Sequence, residues 1–191
     1  MALRVRPAQS GEAVSIARVH DRCWRAAYTG MMPESIIARS TYARREAMWA
    51  RLLAMPDDAR CAYVIEDEPV GVVGCAWGGD EESGDPMYTG ELSGIYLLPE
   101  YQHRGLGRAL IGAVADNLLR QGHASLLLWA LADNPARRFY EALGGQRVRA
   151  RETAMDGGTI REVAYGWPDI RLLIGAGQTA APWGHRESHR Q

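Results

Sequence analysis

Residues Tyr101 to Arg108 read Tyr-Gln-His-Arg-Gly-Leu-Gly-Arg and stand between two segments of different period. Before them, Leu92 to Leu98 is an apolar run of strand character. After them, Leu106 to Leu119 repeats its apolar residues at helical spacing. A strand therefore passes into a helix through a turn that carries two glycines and flanking arginines. Such a turn leaves the first N–H groups of the helix without intrahelical partners and lets an anion come close to them. The natural reading is a phosphate cradle, and with it a phosphorylated cofactor.

The rest of the chain supplies a sheet for that turn to sit on. Leu3 to Pro7 reads as an opening strand, with Ser10 as cap of a helix that carries Ile16, Val19, Cys23 and Ala27 on one face and stops near Gly30. Pro33 to Ala38 and Thr41 to Leu53 read as two further helices. Ala62 to Glu66 and Val70 to Trp77 form a hairpin, Gly78 to Thr89 a polar loop, and Gly90 to Leu98 the strand before the glycine turn. The next helix buries Leu106, Leu110, Ile111, Val114 and Leu118. Leu126 to Ala130 is apolar throughout, as a strand covered on both faces would be. Asn134-Pro135 opens a short helix, and Gln146 to Ala154 pairs with Thr159 to Trp167 around Asp156-Gly157-Gly158. The order predicts one mixed α/β domain over residues 1–168, its sheet flanked by helices, and a flexible or partner-docking tail over 169–191.

Composition narrows the partners. A formal charge of −1 over 191 residues gives no reason to expect nucleic-acid binding. No apolar stretch is long enough to span a bilayer, and Met1 to Pro7 lacks the apolar region of a secretion signal. The three cysteines, Cys23, Cys61 and Cys75, form no paired motif, and the five histidines show no metal-ligand spacing. Buried thiols in a reducing cytoplasm and no bound metal are expected. All 22 basic residues are Arg, which removes any mechanism that needs a Lys. The turn also lacks the third glycine of a dinucleotide fingerprint, because Leu110 stands there, and it lacks the Gly-Lys of a P-loop.

Gln102-His103-Arg104-Gly105-Leu106-Gly107 resembles the Gln/Arg-x-x-Gly-x-Gly/Ala pattern of the GNAT superfamily of acyl-CoA-dependent N-acetyltransferases. Glu91-Leu92-Ser93-Gly94-Ile95-Tyr96-Leu97-Leu98-Pro99-Glu100 upstream and Pro135 to Gly145 downstream resemble further segments of that family in the same order. The likeness covers roughly residues 3 to 167. It implies a mostly antiparallel central sheet flanked by helices, with acetyl-CoA as cofactor. Backbone N–H groups over His103, Arg104, Gly105, Leu106, Gly107 and Arg108 would hold the pyrophosphate, and main chain of Ile95, Tyr96 and Leu97 the pantetheine arm. The family's Asn before its tyrosine falls on Asp133 here, with Asn134 next to it. Either residue takes that role, and Asn134 also reads as a plain helix cap.

Acetyl transfer to an amine needs a neutral nitrogen, a donor to the carbonyl oxygen and a proton for the departing thiolate. The resemblance gives Tyr140 the last role. It gives Glu91 the first, through water, although a solvated glutamate at a strand start reads equally well. Ser93, two residues on, is expected on the same side as Glu91 and is a candidate substrate contact. Trp24, Tyr28, Met31 and Met32 cluster after the first helix, where core packing competes with an acceptor wall. Asp80, Glu81, Glu82 and Asp85 form an acidic loop that is either solvated or attracts a cationic amine. The expectation is a cytoplasmic enzyme that acetylates a small-molecule amine, with a homodimer open to it. The alternatives are an acyl-CoA sensing module without turnover and an acetyltransferase of protein N-termini or Lys side chains.

Overall fold

A computed structural model describes residues 2–56, 61–155 and 158–174. Seven strands form one sheet in the order β1-β2-β3-β4-β5-β7-β6. They are β1 (Leu3–Pro7), β2 (Ala62–Asp67), β3 (Gly71–Asp80), β4 (Gly90–Leu97), β5 (Leu126–Leu131), β6 (Gln146–Met155) and β7 (Gly158–Trp167). The helices are α1 (Ala13–Tyr28), α2 (Glu34–Arg39), α3 (Tyr42–Leu53), α4 (Leu106–Arg120) and α5 (Arg137–Ala142). All neighbouring strands are antiparallel except β4 and β5. No helix among the described residues is long and apolar enough to cross a membrane.

The stripe expected on α4 is the one that is buried: Leu106, Leu110, Ile111, Val114 and Leu118. They pack with Ile65, Val73, Leu92 and Leu126 in a core on one side of the sheet, and each such side chain contributes roughly 1.5–3 kcal/mol. On the opposite side, Ile16 and Trp49 from α1 and α3 cover Val64 and Cys75. Cys23, Cys61 and Cys75 are all free and buried.

Several boundaries differ from the sequence reading; α5 begins at Arg137, with Asn134 and Pro135 in the turn before it. The residue before α1 is Glu12, not Ser10. Glu12 is held there by Arg6, at 2.7 Å and 2.9 Å, and it accepts from the Gln9 N–H at 2.7 Å. Strand β3 runs on to Asp80, because Gly78 and Gly79 pair with Leu92 and Glu91. The ordered unit also continues past Pro168. Residues Ile170–Leu173 form a 3₁₀ turn whose Ile170 and Leu173 are buried against α4, and the Ile170 N–H donates to Ala124 O at 2.9 Å. Residues 175–191, the rest of the expected tail, lie outside the described residues, as do Asp156 and Gly157.

Two irregularities in β4 position the site. It pairs with β5 only at Gly90↔Leu126 and Glu91↔Leu127, so the two strands part from Leu92 onward. Against β3, Gly78 pairs with Leu92 and Trp77 with Gly94, which leaves Ser93 as the extra residue of a bulge. The bulge shifts the alternation by one. Leu92 packs in the α4-side core, whereas Tyr96 lies on the α1 side, stacked on His20 with ring centroids 4.3 Å apart.

Gly94 lies directly beneath Trp77: a Cβ there would come within 2.3 Å of the indole. Trp77 is itself wedged against Trp49, His20 and Tyr96. Gly94→Ala is therefore expected to cost about 1–3 kcal/mol by overpacking. Denaturant unfolding would show this as a lowered midpoint at unchanged slope, and an unaltered midpoint would contradict it.

Candidate active site

The glycine turn is tied to the end of β4. Gln102 Nε2 donates to Leu97 O at 3.0 Å, and the Tyr101 hydroxyl donates to Asp67 at 2.8 Å. His103 and Gly105 both have positive φ, 59° and 77°. Left-handed residues in such a turn point successive amides inward. Among the described residues, no backbone acceptor pairs with the N–H groups of His103 to Arg108, and the first bond of α4 is Ala109 N–H to Gly105 O at 3.1 Å. Leu106 is buried and anchors the turn, while His103, Arg104 and Gly105 are exposed. Arg104 lies over the Tyr101 ring at 5.4 Å.

The two glycines do different work. Gly105 has open space around it, and its φ is what calls for glycine. Gly107 faces Phe139 of α5, whose ring would lie 3.0 Å from an added Cβ. The sequence reading had both glycines clearing space for an anion; Gly107 clears it for an aromatic ring that ties α5 to α4.

Past Glu91, the edge of β4 that would pair with β5 is open. The Leu98 N–H bonds to Val73 O, on the β3 side. Alternation then turns the main-chain groups of Tyr96 toward β3 and those of Ile95 and Leu97 toward the gap. Leu97 O is taken by Gln102, so its N–H and both groups of Ile95 are left facing the opening.

Side chains close around this gap. Tyr140, in α5, is buried against Phe139 and Tyr165. Burial, with a smaller effect from Tyr28, pushes its phenol well above the ordinary range. Tyr28, from the end of α1, lies beside Tyr96 and Asn134, and burial raises its phenol pKa. The Asn134 Oδ1 accepts from the Ala136 N–H at 2.9 Å, so Asn134 caps the turn before α5. Asp133 is largely exposed, 3.7 Å from Arg161.

Glu91 is half-buried where β4 and β5 part. Desolvation raises its carboxyl pKa, opposed by a hydrogen bond from the Glu82 backbone; Glu81 and Glu82 push it up further and Arg151 pulls it down. Ser93 is exposed at the bulge. The alternation expected to set it beside Glu91 is interrupted there. Trp24 is nearly buried beneath Arg45, whose guanidinium lies 4.4 Å from its ring, and it touches Tyr28. Met31 borders a cavity of 200 Å³ with Leu131 and Asp133. Of the acidic loop, Asp85 pairs with Arg149 at 2.8 Å and Asp80 with His123 at 3.3 Å.

Sequence reasoning missed Arg151, Glu162 and Trp129. Arg151 Nε donates to Glu162 at 2.7 Å, and its guanidinium lies 3.9 Å from the Trp129 ring. Alternation along an arginine-rich strand was the available signal, and it did not say which arginines face the site.

A model described as FR47-like protein matches residues 86–154. An uncharacterized N-acetyltransferase of Bacillus subtilis, YuaI, is 35% identical over 170 residues, which is 88% of this chain and 95% of that protein. A shorter stretch of 61 residues is 41% identical to the [ribosomal protein bS18]-alanine N-acetyltransferase of Escherichia coli, covering 31% of this chain and 41% of that one. The PaiA N-acetyltransferase of Thermoplasma acidophilum, solved in complex with coenzyme A, shares the fold with a TM-score of 0.67 at 16% identity, over 85% of this chain and 98% of its own. The parted strands, the left-handed glycine turn and a full-length relative at this identity agree: the chain belongs to the GNAT superfamily of acyl-CoA-dependent N-acetyltransferases.

Proposed function

We propose that the protein transfers the acetyl group of acetyl-CoA to the primary amine of a small molecule by direct attack. The observation that carries this reading is the opening between β4 and β5. It begins at Glu91 and ends at a turn whose amides have no backbone partner among the described residues. Acetyl-CoA supplies an acetyl carbon already activated by its thioester. The amides of residues 103–108 fit a pyrophosphate, and the free main-chain groups of Ile95 and Leu97 fit the amide-bearing arm and the thioester oxygen.

Glu91 takes a proton from the acceptor ammonium, directly or through water. The neutral nitrogen bonds to the acetyl carbon while the carbon–sulfur bond breaks. Tyr140 donates toward the sulfur as it leaves, and the nitrogen gives its second proton to solvent. Tyr28 with Tyr96 forms the wall beside Tyr140.

A small acceptor is favoured by the closeness of the walls. The segment after α1 reaches the end of the sheet, where Pro33 sits against Gly158 so tightly that a Cβ would approach within 2.9 Å. Likeness to a bS18-alanine N-acetyltransferase favours a second reading, acetylation of a protein N-terminus. Calorimetry with coenzyme A, then release of free thiol with a panel of amines and peptides, separates the two. Thiol release with peptides alone would select the second reading. Binding without release from any acceptor would leave a sensing module.

The raised Glu91 carboxyl gives a pH signature. Below its folded pKa the carboxyl is protonated and cannot accept, so kcat/KM should fall on the acid side along a limb lying above the ordinary glutamate value of about 4.3. Glu91→Gln is expected to lower kcat/KM by about 10²-fold and to remove that limb. A pH–rate profile that keeps the limb in the variant would take the base role from Glu91.

A further inference from the structure

The acceptor side of the opening holds hydrogen-bond donors that the fold does not use. Trp129 stands on β5 two residues beyond Leu127, the last residue paired with β4. Its indole Nε1 is buried and has no hydrogen-bond partner among the described residues. Arg151 lies on the same indole, 3.9 Å from the ring centroid. It is held by one nitrogen only, Nε, which donates to Glu162 at 2.7 Å; the Thr153 hydroxyl donates to the same carboxylate oxygen at 2.9 Å. The guanidinium is thereby fixed, while its two terminal nitrogens make no hydrogen bond within the described residues. Arg151 is close enough to Glu91 for its charge to act on that carboxyl, and Glu162 acts on Tyr28 in the same way.

Resting on the acetyl-transfer reading above, we propose that the acceptor is an amine that also carries a carboxylate, as an amino acid does, and that Arg151 and Trp129 bind that carboxylate while Glu91 faces the amine. A fixed planar fork with two free N–H edges matches the two oxygens of a carboxylate. The orphaned indole N–H gains the acceptor that it lacks in the fold. The charge census favours a single negative charge. Glu162 already neutralises part of Arg151, and Glu81, Glu82 and Glu91 lie nearby. A phosphate dianion would meet more repulsion than attraction, and an amine without an anionic group would leave both sets of donors unmatched.

The test compares matched acceptors: glycine with glycinamide and methylamine, and phenylalanine with its amide and phenethylamine. Free-thiol release is measured at one pH, and each rate is expressed per neutral amine from that amine's own ammonium pKa. The expected result is a preference in kcat/KM of about tenfold or more for the carboxylate members, expressed in KM. Arg151→Gln should collapse that ratio. Trp129→Phe keeps the ring beneath the guanidinium and loses only the N–H, so it should reduce the ratio in part and still report if the first variant folds poorly. Both variants should bind coenzyme A as before by calorimetry. Turnover of amines without regard to the carboxylate, or a preference that survives both substitutions, overturns the proposal and leaves acetyl transfer standing. Tight binding of coenzyme A with no turnover of any amine overturns both.

Discussion

Replacing Tyr140 with Phe should lower kcat by about 10²-fold or more while coenzyme A binds as tightly as before. The substitution removes one oxygen and leaves the ring. Phe139 and Tyr165 pack against that ring with centroids 5.6 and 5.9 Å away, so the fold loses little. What is lost is a neutral donor held in a buried place. Burial disfavours the phenolate, which keeps the hydroxyl protonated through the whole working range. A thiolate leaving from an apolar site has no water to stabilise it, and one aligned O–H meets that need while charge develops. The effect should therefore fall on kcat and not on the KM for acetyl-CoA. Calorimetry with coenzyme A and a thermal melt serve as controls. A variant with unaltered kcat would remove Tyr140 from the chemistry, and a variant that had lost coenzyme A binding would make it a packing residue.

The same tyrosine shows how unevenly the molecule could be read from its sequence. Its helix was legible only in part: Asn134 and Pro135 mark a turn by local chemistry, but α5 begins two residues later, at Arg137. The α4 stripe was legible because Leu106, Leu110, Ile111, Val114 and Leu118 recur at the helical period. Period and capping are encoded within a few residues, and so survive in one sequence without a structure. The opening between β4 and β5 is not encoded in that way. It depends on two strands that pair at Glu91↔Leu127 and then separate, and nothing in Leu92 to Leu97 taken alone marks the point. Ser93 illustrates the same limit. Strict alternation sets it beside Glu91, but the bulge is a property of the β3–β4 pair and is visible only when both strands are laid together. The charge of Arg151 acts on Glu91 across 60 positions of chain, a distance over which composition carries no signal. Gly107 was recognised as a required glycine, but for a different neighbour, because Phe139 comes from another helix.

His20 should make the protein lose stability steeply in mild acid. It lies on α1 in the most aromatic part of the interior, stacked on Tyr96 and edge-on to Trp49. The Trp49 indole N–H donates to His20 Nδ1 at 3.1 Å, which fixes the neutral ring with its own proton on Nε2. Burial, with help from the nearby Arg45 and against a smaller pull from Asp21, depresses the histidine pKa from 6.5 to about 3. The sign follows from proton counting. Between those two values the unfolded chain binds a proton that the folded chain refuses, so stability is fully present above pH 6.5 and is lost progressively as the pH falls toward 3. The slope contributed by this one group approaches about 1.4 kcal/mol per pH unit, and the whole window amounts to roughly 4–5 kcal/mol. That is a large part of the 5–15 kcal/mol typical of a domain. The carboxylates held low by arginines, Glu12 and Glu66 beside Arg6 among them, act in the same direction but at more acid pH. The histidine contribution can be isolated by difference. His20→Gln retains an acceptor for Trp49 and cannot titrate. It should be less stable than the parent at pH 7 because the stacking on Tyr96 is weakened. Its loss of stability between pH 6.5 and 4.5, followed by urea unfolding, should be smaller than the parent's by about 2–3 kcal/mol. Parallel curves for the two proteins over that interval would mean that His20 accepts its proton inside the fold.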